Sequence, residues 1–335
     1  MQNMRIYYTK DKKLTGNRNN DIVYFHLKTN HYRRHLSNLI FWFLYAGYEV
    51  QLKFGFKIVG SMHAFSKEIF KYKSFTLIKR KPAKTELNFY GIGVEKKEDS
   101  VFLDPDYFQK DGAWHVPLGM HPMMYFNGWF KKTHELRKNE NRPINIFFSG
   151  NLNERLYAKD IIRINFNKLS RLEIFRLLKK AFSDDQIVIP LSLNDIYNYD
   201  VIKDKIVFND REKIMIPPEK YLELLSKSKF SLFTPGVVHP LCHNNYEAMS
   251  VGAIPVLEHP ELFDPPLTHG KNCITFSGPD ELIEQIKYVM SMDEYRIKEM
   301  RKEALNYYDK YLSAQGIIEN IIANKHRGKI HLGLD

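Results

Sequence analysis

One carboxylate stands out because it lies near the start of a predicted helix that leads into a predicted strand. Glu247 belongs to the stretch HNNYEAMSVGAIPVLEHPE at 243–261, where a helix at 245–251 leads into an apolar strand at 254–257. Near a helix start, unpaired N–H groups and the helix dipole favour negative charge. A carboxylate held there can accept two hydrogen bonds from neighbouring hydroxyl groups, which suits a ribose diol. Glu247 is therefore either a ligand-binding carboxylate or a charge that only complements the helix dipole.

Basic side chains in the same half of the chain offer positive charge for an anion. Arg155 follows a predicted strand and a tight turn at 149–151. Guanidinium groups bind phosphate oxygens through paired N–H donors, so Arg155 is the first candidate for a phosphate contact, with Lys159 and Arg211 next. A plain surface charge is the alternative for each of them. Main-chain N–H groups of two turns are further anion-binding candidates, and they belong to Ser149, Gly150 and Gly236.

Histidines in the first half of the chain are candidates for moving a proton. His31 lies in the loop between the first predicted strand and the first predicted helix. A histidine in such a loop can accept the proton of a hydroxyl group that attacks an electrophile. His26, His63 and His121 compete with His31 for this role, and His121 is the second candidate for the base. A structural histidine is the alternative for each.

The elements around these residues predict α/β domains. A strand at 21–26, a helix at 32–46 and a strand at 48–52 open the chain, and Gly47 lies where a helix C-cap belongs. This strand–helix–strand order is typical of a parallel sheet. A second α/β pattern begins with the strand at 144–148.

The second pattern continues to a helical end. We expect helices at 152–164, 170–182, 221–226, 245–251, 280–292, 293–312 and 317–325, and strands at 186–190, 230–233 and 254–257. Residues 55–130 are less regular, with strand-like runs at 74–78 and 89–94, a turn-rich stretch at 114–122 and an aromatic run at 123–130. The predicted organisation is an N-terminal domain over 1–135, a polar linker at 131–142, a C-terminal domain over 143–315, and a helix with a basic tail over 316–335 that packs back on the first domain.

Composition narrows the class of protein. The 335 residues are 44% hydrophobic and 27% charged, which is typical of a soluble globular protein, and there are only two cysteines. No stretch has the ~20 apolar residues that span a bilayer, and the N-terminus has no signal-peptide pattern, so we expect a cytoplasmic protein. The net charge of +11 would attract nucleic acid, anionic lipid headgroups or nucleotide diphosphates, but spread charge is also typical of a solvated surface.

Two segments resemble GT-B glycosyltransferases. KFSLFTPG at 229–236 and YEAMSVGAIPVL at 246–257 are similar to the donor-site segment of that class, and most similar to its exostosin-like branch. The segment at 32–50, which ends in AGYEV, resembles the first helix and second strand of the N-terminal domain. The resemblance implies an α/β fold of two Rossmann-like domains facing a cleft.

The resemblance also implies an activity. The implied activity is that of a hexosyl- or pentosyltransferase in polysaccharide biosynthesis. Such an enzyme moves a sugar from a nucleotide sugar to a glycan, lipid-linked or protein acceptor. We expect a UDP-sugar rather than a GDP-sugar, no cofactor, and inverting, metal-independent transfer. Glu247 matches the family's ribose-binding carboxylate, whereas His239 stands where many retaining members have a second Glu. The resemblance makes His239, Asn244 and Asn245 candidate donor contacts.

The same resemblance implies which residues act on the acceptor and which partners the protein binds. His31 lies in the loop where inverting GT-B enzymes often carry a base, and His121 is the substitute. The aromatic run at 123–130 would stack on a sugar ring, rest against a lipid surface or form buried core. We expect peripheral membrane contact through a basic and aromatic surface, and no specific nucleic acid. The alternatives are a nucleic-acid-binding protein and a nucleotide-sugar epimerase of GT-B fold.

Overall fold

The first strand–helix–strand unit forms where the hydrophobic pattern predicts it. The computed structural model describes residues 12, 21–29, 31–96 and 98–333. Strand β1 (Ile22–His26) pairs in parallel with β2 (Glu49–Lys53), and helix α1 (Arg33–Tyr45) connects them. Gly47 follows this helix with φ of 91°, a left-handed conformation that glycine adopts without strain.

Two units make up the chain, and each is built on its own parallel sheet. The first comprises Met1–Asn127 with Lys310–Asp335, and the second comprises Gly128–Asp309. Every strand pair in both sheets is parallel. Two Rossmann-like α/β domains are therefore confirmed. None of the helices in the described part of the chain is long and apolar enough to cross a membrane.

The first unit has a seven-stranded sheet in the order β3-β2-β1-β4-β5-β13-β6. With elements numbered in chain order, its further strands are β3 (Phe75–Ile78), β4 (Leu87–Tyr90), β5 (Val101–Asp104), β6 (Trp114–Val116) and β13 (Lys329–Leu332). Its further helices are α2 (Phe56–Gly60), α3 (Pro122–Phe126) and α14 (Ala314–Asn324), with 3-10 turns at Phe65–Lys71 and Lys325–Arg327.

Helix α1 is buried on all sides rather than on one face. Every residue from 35 to 44 is buried, because α3 and α14 pack against this helix in addition to the sheet. A polar residue at such a position needs hydrogen-bond partners. The Asn38 amide group donates to the carbonyl oxygens of Leu118 and Met120, at 2.9 Å each.

The end of the chain differs from the predicted basic tail. Residues 329–332 form β13, which inserts between β5 and β6 and pairs with both. Its Lys-Ile-His-Leu sequence is short, and all of its residues but Lys329 are buried. The turn-rich stretch at 114–122 likewise begins with a strand, β6, because Trp114 and Val116 are both buried in the sheet.

The second unit has a six-stranded sheet in the order β12-β11-β10-β7-β9-β8. Its strands are β7 (Ile144–Gly150), β8 (Ile187–Val188), β9 (Ile206–Asp210), β10 (Ser228–Phe233), β11 (Ile254–Leu257) and β12 (Ile274–Thr275). Its helices are α4 (Thr133–Leu136), α5 (Glu154–Tyr157), α6 (Ile161–Phe166), α7 (Arg171–Ala181), α8 (Leu193–Tyr197), α9 (Tyr199–Ile202), α10 (Pro218–Leu225), α11 (His243–Ser250), α12 (Gly278–Met290) and α13 (Glu294–Tyr307).

Two predictions for this unit are wrong in detail. The single helix expected at 152–164 is divided into α5 and α6, because Asp160 adopts a left-handed conformation with φ of 47°. The polar linker expected at 131–142 ends in a buried residue, Arg142. Its guanidinium group donates to the carbonyl oxygens of Ser228 (2.9 Å) and Val251 (2.6 Å), so this part of the linker belongs to the packed second unit.

Candidate functional site

Loops at the carboxyl ends of three neighbouring strands carry most of the predicted site residues. Strand β7 lies between β10 and β9 in the second sheet, and all three run parallel. Ligands of open parallel sheets bind beyond this edge. The main-chain N–H of Arg211 donates to the Gly150 carbonyl oxygen at 2.9 Å, and the Asn209 amide donates to Ser149 Oγ at 2.9 Å. The ends of β7 and β9 are thus held together.

Gly150, at the end of β7, leaves room for a buried arginine. A Cβ atom at Gly150 would lie 2.9 Å from Nη1 of Arg171 and 2.5 Å from the Phe148 ring. Contacts this short force the neighbouring groups to move, so any larger residue would displace the guanidinium group. Glycine at position 150 therefore leaves the space that the Arg171 guanidinium group occupies.

Arg171 is the strongest candidate for an anion-binding group. Its Nε donates to Thr234 Oγ1 at 2.9 Å, its Nη1 donates to the Asn151 carbonyl oxygen at 3.2 Å, and its Nη2 lies 3.6 Å from the sulfur of Cys242. The guanidinium group also lies over the rings of Phe148 and Tyr157.

The charge of Arg171 has no counterion within the described residues. The residue is 7% exposed, and no described carboxylate lies within 4.0 Å of its guanidinium group. Buried charges in proteins are normally paired. A bound anion would supply the missing negative charge at the sheet edge where ligands bind.

Gly236 allows the loop after β10 to fold back on itself. Its N–H donates to the His239 carbonyl oxygen at 2.9 Å, and a Cβ atom there would lie 3.0 Å from that oxygen. Nδ1 of His239 accepts from the N–H of Leu241 at 3.0 Å, so the ring caps the same turn. Beyond the loop, the Asn244 amide donates to the Ser149 carbonyl oxygen at 3.4 Å. The structure therefore brings Ser149, Gly150, Gly236, His239 and Asn244 together.

Glu247 does not stand at a helix start. Helix α11 begins at His243, so Glu247 is its fifth residue, and the first turn contains no acidic residue. The helix begins two residues before the predicted start at 245, and Cys242, with extended backbone geometry, is its N-cap. The helix start therefore supports neither interpretation of Glu247, as a ligand-binding carboxylate or as a charge that complements the helix dipole, since that effect fades beyond the first turn.

The Glu247 side chain is instead buried near other charged groups of the site. It is 4% exposed. Burial raises the pKa of the nearby Tyr221 hydroxyl, the Glu247 carboxylate raises it further, and Arg211 and Arg171 oppose the rise. Glu247, Arg171 and Arg211 therefore share one electrostatic environment around Tyr221.

Two buried polar side chains at this edge lack hydrogen-bond partners in the described structure. Asn245 is fully buried, and neither atom of its amide group has one. His259 follows β11, is fully buried, and has no partner at either ring nitrogen. Burial, with smaller effects of Lys168 and His239, lowers the pKa of His259 to about 3. This imidazole is therefore neutral at pH 7.

The basic residues predicted to contact phosphate lie on the surface. Arg155 and Lys159 are exposed on α5 and just after it, and neither pairs with a described carboxylate. Arg211 is also exposed, although its main chain is bound to Gly150 and its charge acts on Tyr221. Arg211 is therefore the one of the three whose main chain is hydrogen-bonded to the candidate site and whose charge acts on Tyr221.

The candidate bases lie in the first unit. His31 is exposed in the loop between β1 and α1, while His121 is the N-cap of α3 and accepts from the N–H of Met123 through Nδ1. His26 ends β1, half-buried, and His63 is exposed. Capping occupies one ring nitrogen of His121, so His31 is the more available of the two predicted bases.

The aromatic run at 123–130 is mostly buried. Tyr125 and Phe126 are each below 5% exposure and pack against Phe41 with ring centroids 5.1 and 5.7 Å apart. Among the interpretations of this run, buried core is therefore correct for these side chains. A lipid or sugar contact through them is ruled out, because α1 covers their rings.

One described group of side chains has the composition of a metal site. Asp104, Asp111 and His331 place ligand atoms within 4.8 Å of one another in the first unit. The Lys329 ammonium group contacts both carboxylates, at 3.2 Å from Asp104, and His331 Nε2 lies 2.8 Å from Asp111. These contacts hold the pKa of the Asp111 carboxyl well below its usual range. Lys329 thus already provides the positive charge here.

Arg171 is the residue that sequence reasoning missed. The helix at 170–182 was predicted, but Arg171 was not singled out. The signal is its position directly after Ser170, the N-cap residue that forms a capping box with Glu173. A cation in the first turn opposes the helix dipole. An arginine in this position is therefore a candidate for binding an anion rather than for stabilising the helix.

Comparison with known families gives a match in the second half of the chain. Residues 178–323 match the family described as glycosyl transferase-like. No curated protein matches the chain.

Three solved structures are similar to this protein over most of the chain. The Anabaena protein HepE in complex with UDP has 10% identity over 92% of this chain and 100% of its own, with a TM-score of 0.47. A glycosyltransferase from Rickettsia africae has 7% identity over 92% of this chain and 98% of its own, with a TM-score of 0.42. Sucrose-phosphate synthase from Thermosynechococcus elongatus has 9% identity over 91% of this chain and 73% of its own, with a TM-score of 0.36.

The resemblance to the exostosin-like branch stays a prediction, as does the cleft between the domains. The pair of parallel-sheet α/β domains that the GT-B resemblance implied is present.

Proposed function

We propose that the protein is a glycosyltransferase that moves a sugar from a nucleotide sugar to a hydroxyl group of an acceptor. The observation that carries this proposal is Arg171, a buried guanidinium group without a counterion among the described residues, at the ligand-binding edge of the second sheet. The glycosyl transferase-like match begins a few residues further along the chain, at residue 178. A diphosphate fits this position because Arg forks onto phosphate oxygens.

The donor would be held by groups from β7, β9, α7 and α11. Arg171 binds the diphosphate, with the main-chain N–H groups of 149–151 and 236–237 as further donors. Glu247 accepts hydrogen bonds from the two ribose hydroxyls. Arg211 provides a second positive charge near Tyr221. A UDP-sugar is the first donor to test and a GDP-sugar the second.

The reaction would invert the anomeric carbon. The acceptor oxygen attacks that carbon, the bond to the phosphate oxygen breaks, His31 takes the acceptor proton, and the nucleoside diphosphate leaves. His239 replaces the second acidic residue of the retaining pattern, which supports inversion. Arg171 supplies positive charge to the leaving diphosphate, which supports transfer without a metal. The acceptor would be a glycan, a lipid-linked sugar or a protein.

A thermal-shift panel with UDP, GDP, CMP and their sugars tests the donor part of the proposal. A ligand that binds the folded chain raises its melting temperature by mass action. We expect one nucleotide to stabilise the chain well above the others. If no nucleotide at millimolar concentration shifts the melting temperature, the proposal fails.

Binding and product assays on the same protein distinguish two other functions from sugar transfer. A nucleic-acid-binding protein is favoured by the net charge of +11, and it would bind an oligonucleotide with steep salt dependence but no nucleotide sugar. A nucleotide-sugar epimerase would change the donor sugar in the absence of any acceptor. Product analysis with and without acceptor therefore distinguishes transfer from epimerisation.

A further inference from the structure

Positive charge is concentrated in one short part of the first unit. Residues 51–85 contain nine Lys and Arg and a single acidic residue, Glu68, which gives a net charge of +8. The whole chain has +11, so the remaining residues add only +3. A solvated surface of mixed charge does not explain such a distribution.

The chain brings two parts of this segment to the same place. Strands β2 and β3 are parallel neighbours, with Lys53 opposite Ile78, and the N–H of Phe54 donates to the Ile78 carbonyl oxygen at 2.8 Å. The residues that follow β2 and β3 therefore emerge side by side at the carboxyl edge of the first sheet. We call the exposed side chains there the edge patch, which consists of Phe54, Phe56, Lys57, Lys79, Arg80 and Lys81.

The edge patch has an apolar centre. Phe56 is 77% exposed and Phe54 is 37% exposed. Their ring centroids lie 5.1 Å apart with an interplanar angle of 73°. Gly55 between them is the N-cap of α2, so both rings lie at the start of one short helix. Two adjacent exposed aromatic rings, together with four exposed cations, have the composition of an interfacial membrane contact.

The cations of the edge patch are available for an external anion. Neither Lys57, Lys79, Arg80 nor Lys81 pairs with a described carboxylate. Glu68, the acidic residue of the segment, is already bound to Lys12 and Lys71. No acidic residue of the segment therefore cancels the field of the patch.

We propose that the edge patch docks the protein on an anionic phospholipid bilayer. Phe54 and Phe56 would enter the headgroup region, and the four cations would contact lipid phosphates. The edge-to-face geometry of the two rings favours this partner over single-stranded nucleic acid, since successive bases stack on exposed ring faces. The patch lies next to the β1 strand end that leads to His31, so docking would bring a lipid-linked acceptor to the acceptor side. The docking itself does not depend on the proposed transfer reaction.

Vesicle sedimentation tests the proposal with the full chain. We expect binding to vesicles of phosphatidylcholine with phosphatidylglycerol, weak binding to phosphatidylcholine alone, and a loss of binding as salt rises. Each basic residue near an anionic surface strengthens binding about fivefold, so R80E with K81E should weaken it at least about 25-fold. F56S should weaken it about tenfold.

Matched variants in the second unit control for charge and for exposed aromatic area. K179E with K180E changes the charge equally on exposed residues of α7, and Y295S removes a ring that is 76% exposed. Both control variants should bind vesicles like the parent chain, and the melting temperatures of all four variants should match the parent's.

Three outcomes would overturn the proposal. The first is no binding to anionic vesicles, or equal binding to neutral ones. The second is an equal loss in the control variants. The third is that R80E with K81E and F56S leave vesicle binding unchanged, whether or not R80E with K81E abolishes the binding of a single-stranded oligonucleotide.

Discussion

Replacing Arg171 by Met removes the guanidinium charge while keeping a long side chain in the same space. Three of the five N–H groups of this arginine point to Thr234, the Asn151 carbonyl and the Cys242 sulfur. One N–H on each terminal nitrogen remains for a phosphate. Loss of such a charge-assisted contact costs about 1.5–3 kcal/mol, so we expect nucleotide affinity to fall about ten- to a hundredfold.

The same substitution should change the stability of the unliganded protein little. Removing an unpaired buried charge relieves its desolvation cost, while the lost hydrogen bonds to Thr234 and Asn151 act in the opposite direction. We expect the free energy of unfolding to change by about 1 kcal/mol or less in either direction. The loss should therefore be specific to ligand binding.

Isothermal titration calorimetry with UDP and its sugars measures the effect, and Arg176→Met is the matched control. Arg176 lies on the same helix and forms an exposed ion pair with Glu154, a contact that contributes little to stability or binding. Its variant should bind nucleotide like the parent. If a folded Arg171→Met variant binds with parental affinity, or if both variants lose affinity equally, the assignment of Arg171 to the diphosphate is refuted.

Three further substitutions test other groups. Glu247→Gln should weaken nucleotide binding about ten- to a hundredfold by calorimetry, whereas the exposed Glu219→Gln should not; equal affinities would exclude a ribose contact. His31→Ala should lower turnover about 10²–10⁴-fold with unchanged donor affinity, and His63→Ala should not; full activity or a retained anomeric configuration would exclude His31 as the base. The pKa of His259 is about 3 in the folded protein, below the value of about 6.5 in the unfolded chain. As the pH falls, the imidazole therefore takes up a proton in the unfolded chain before it does so in the folded protein. The folded protein loses stability below about pH 6.5 for this reason. Relative to His259→Leu, the parent should lose about 2 kcal/mol of unfolding free energy between pH 7 and pH 5 in urea titrations, and parallel pH curves would contradict this.

The first α/β unit was predictable because three independent signals agree there. Apolar residues recur at a helical period in α1, alternating burial marks β2, and Gly47 ends the helix with a positive φ. The expected bounds of this helix lie within one residue of those observed. The strand, turn, helix and strand around 228–257 followed for the same reason, since long apolar runs are bounded by Pro and Gly.

Other elements were not predictable because their stability comes from tertiary contacts. β13 has four residues and pairs with two strands that are over 200 residues away in sequence, so no local pattern marks it. β5 and β6 are similarly short. The candidate site could not be predicted in full for the same reason, because it depends on tertiary contacts. Sequence order made Arg155 the natural phosphate ligand, but only the fold shows that Arg171 fills the space beside Gly150.

A crystal structure of the chain with UDP tests the central claim most directly. The account predicts a diphosphate oxygen within about 3 Å of the terminal nitrogens of Arg171 and ribose hydroxyls within about 3 Å of the Glu247 carboxylate, at the carboxyl edge of the second sheet. A nucleotide bound elsewhere, with no contact to Arg171, would contradict it.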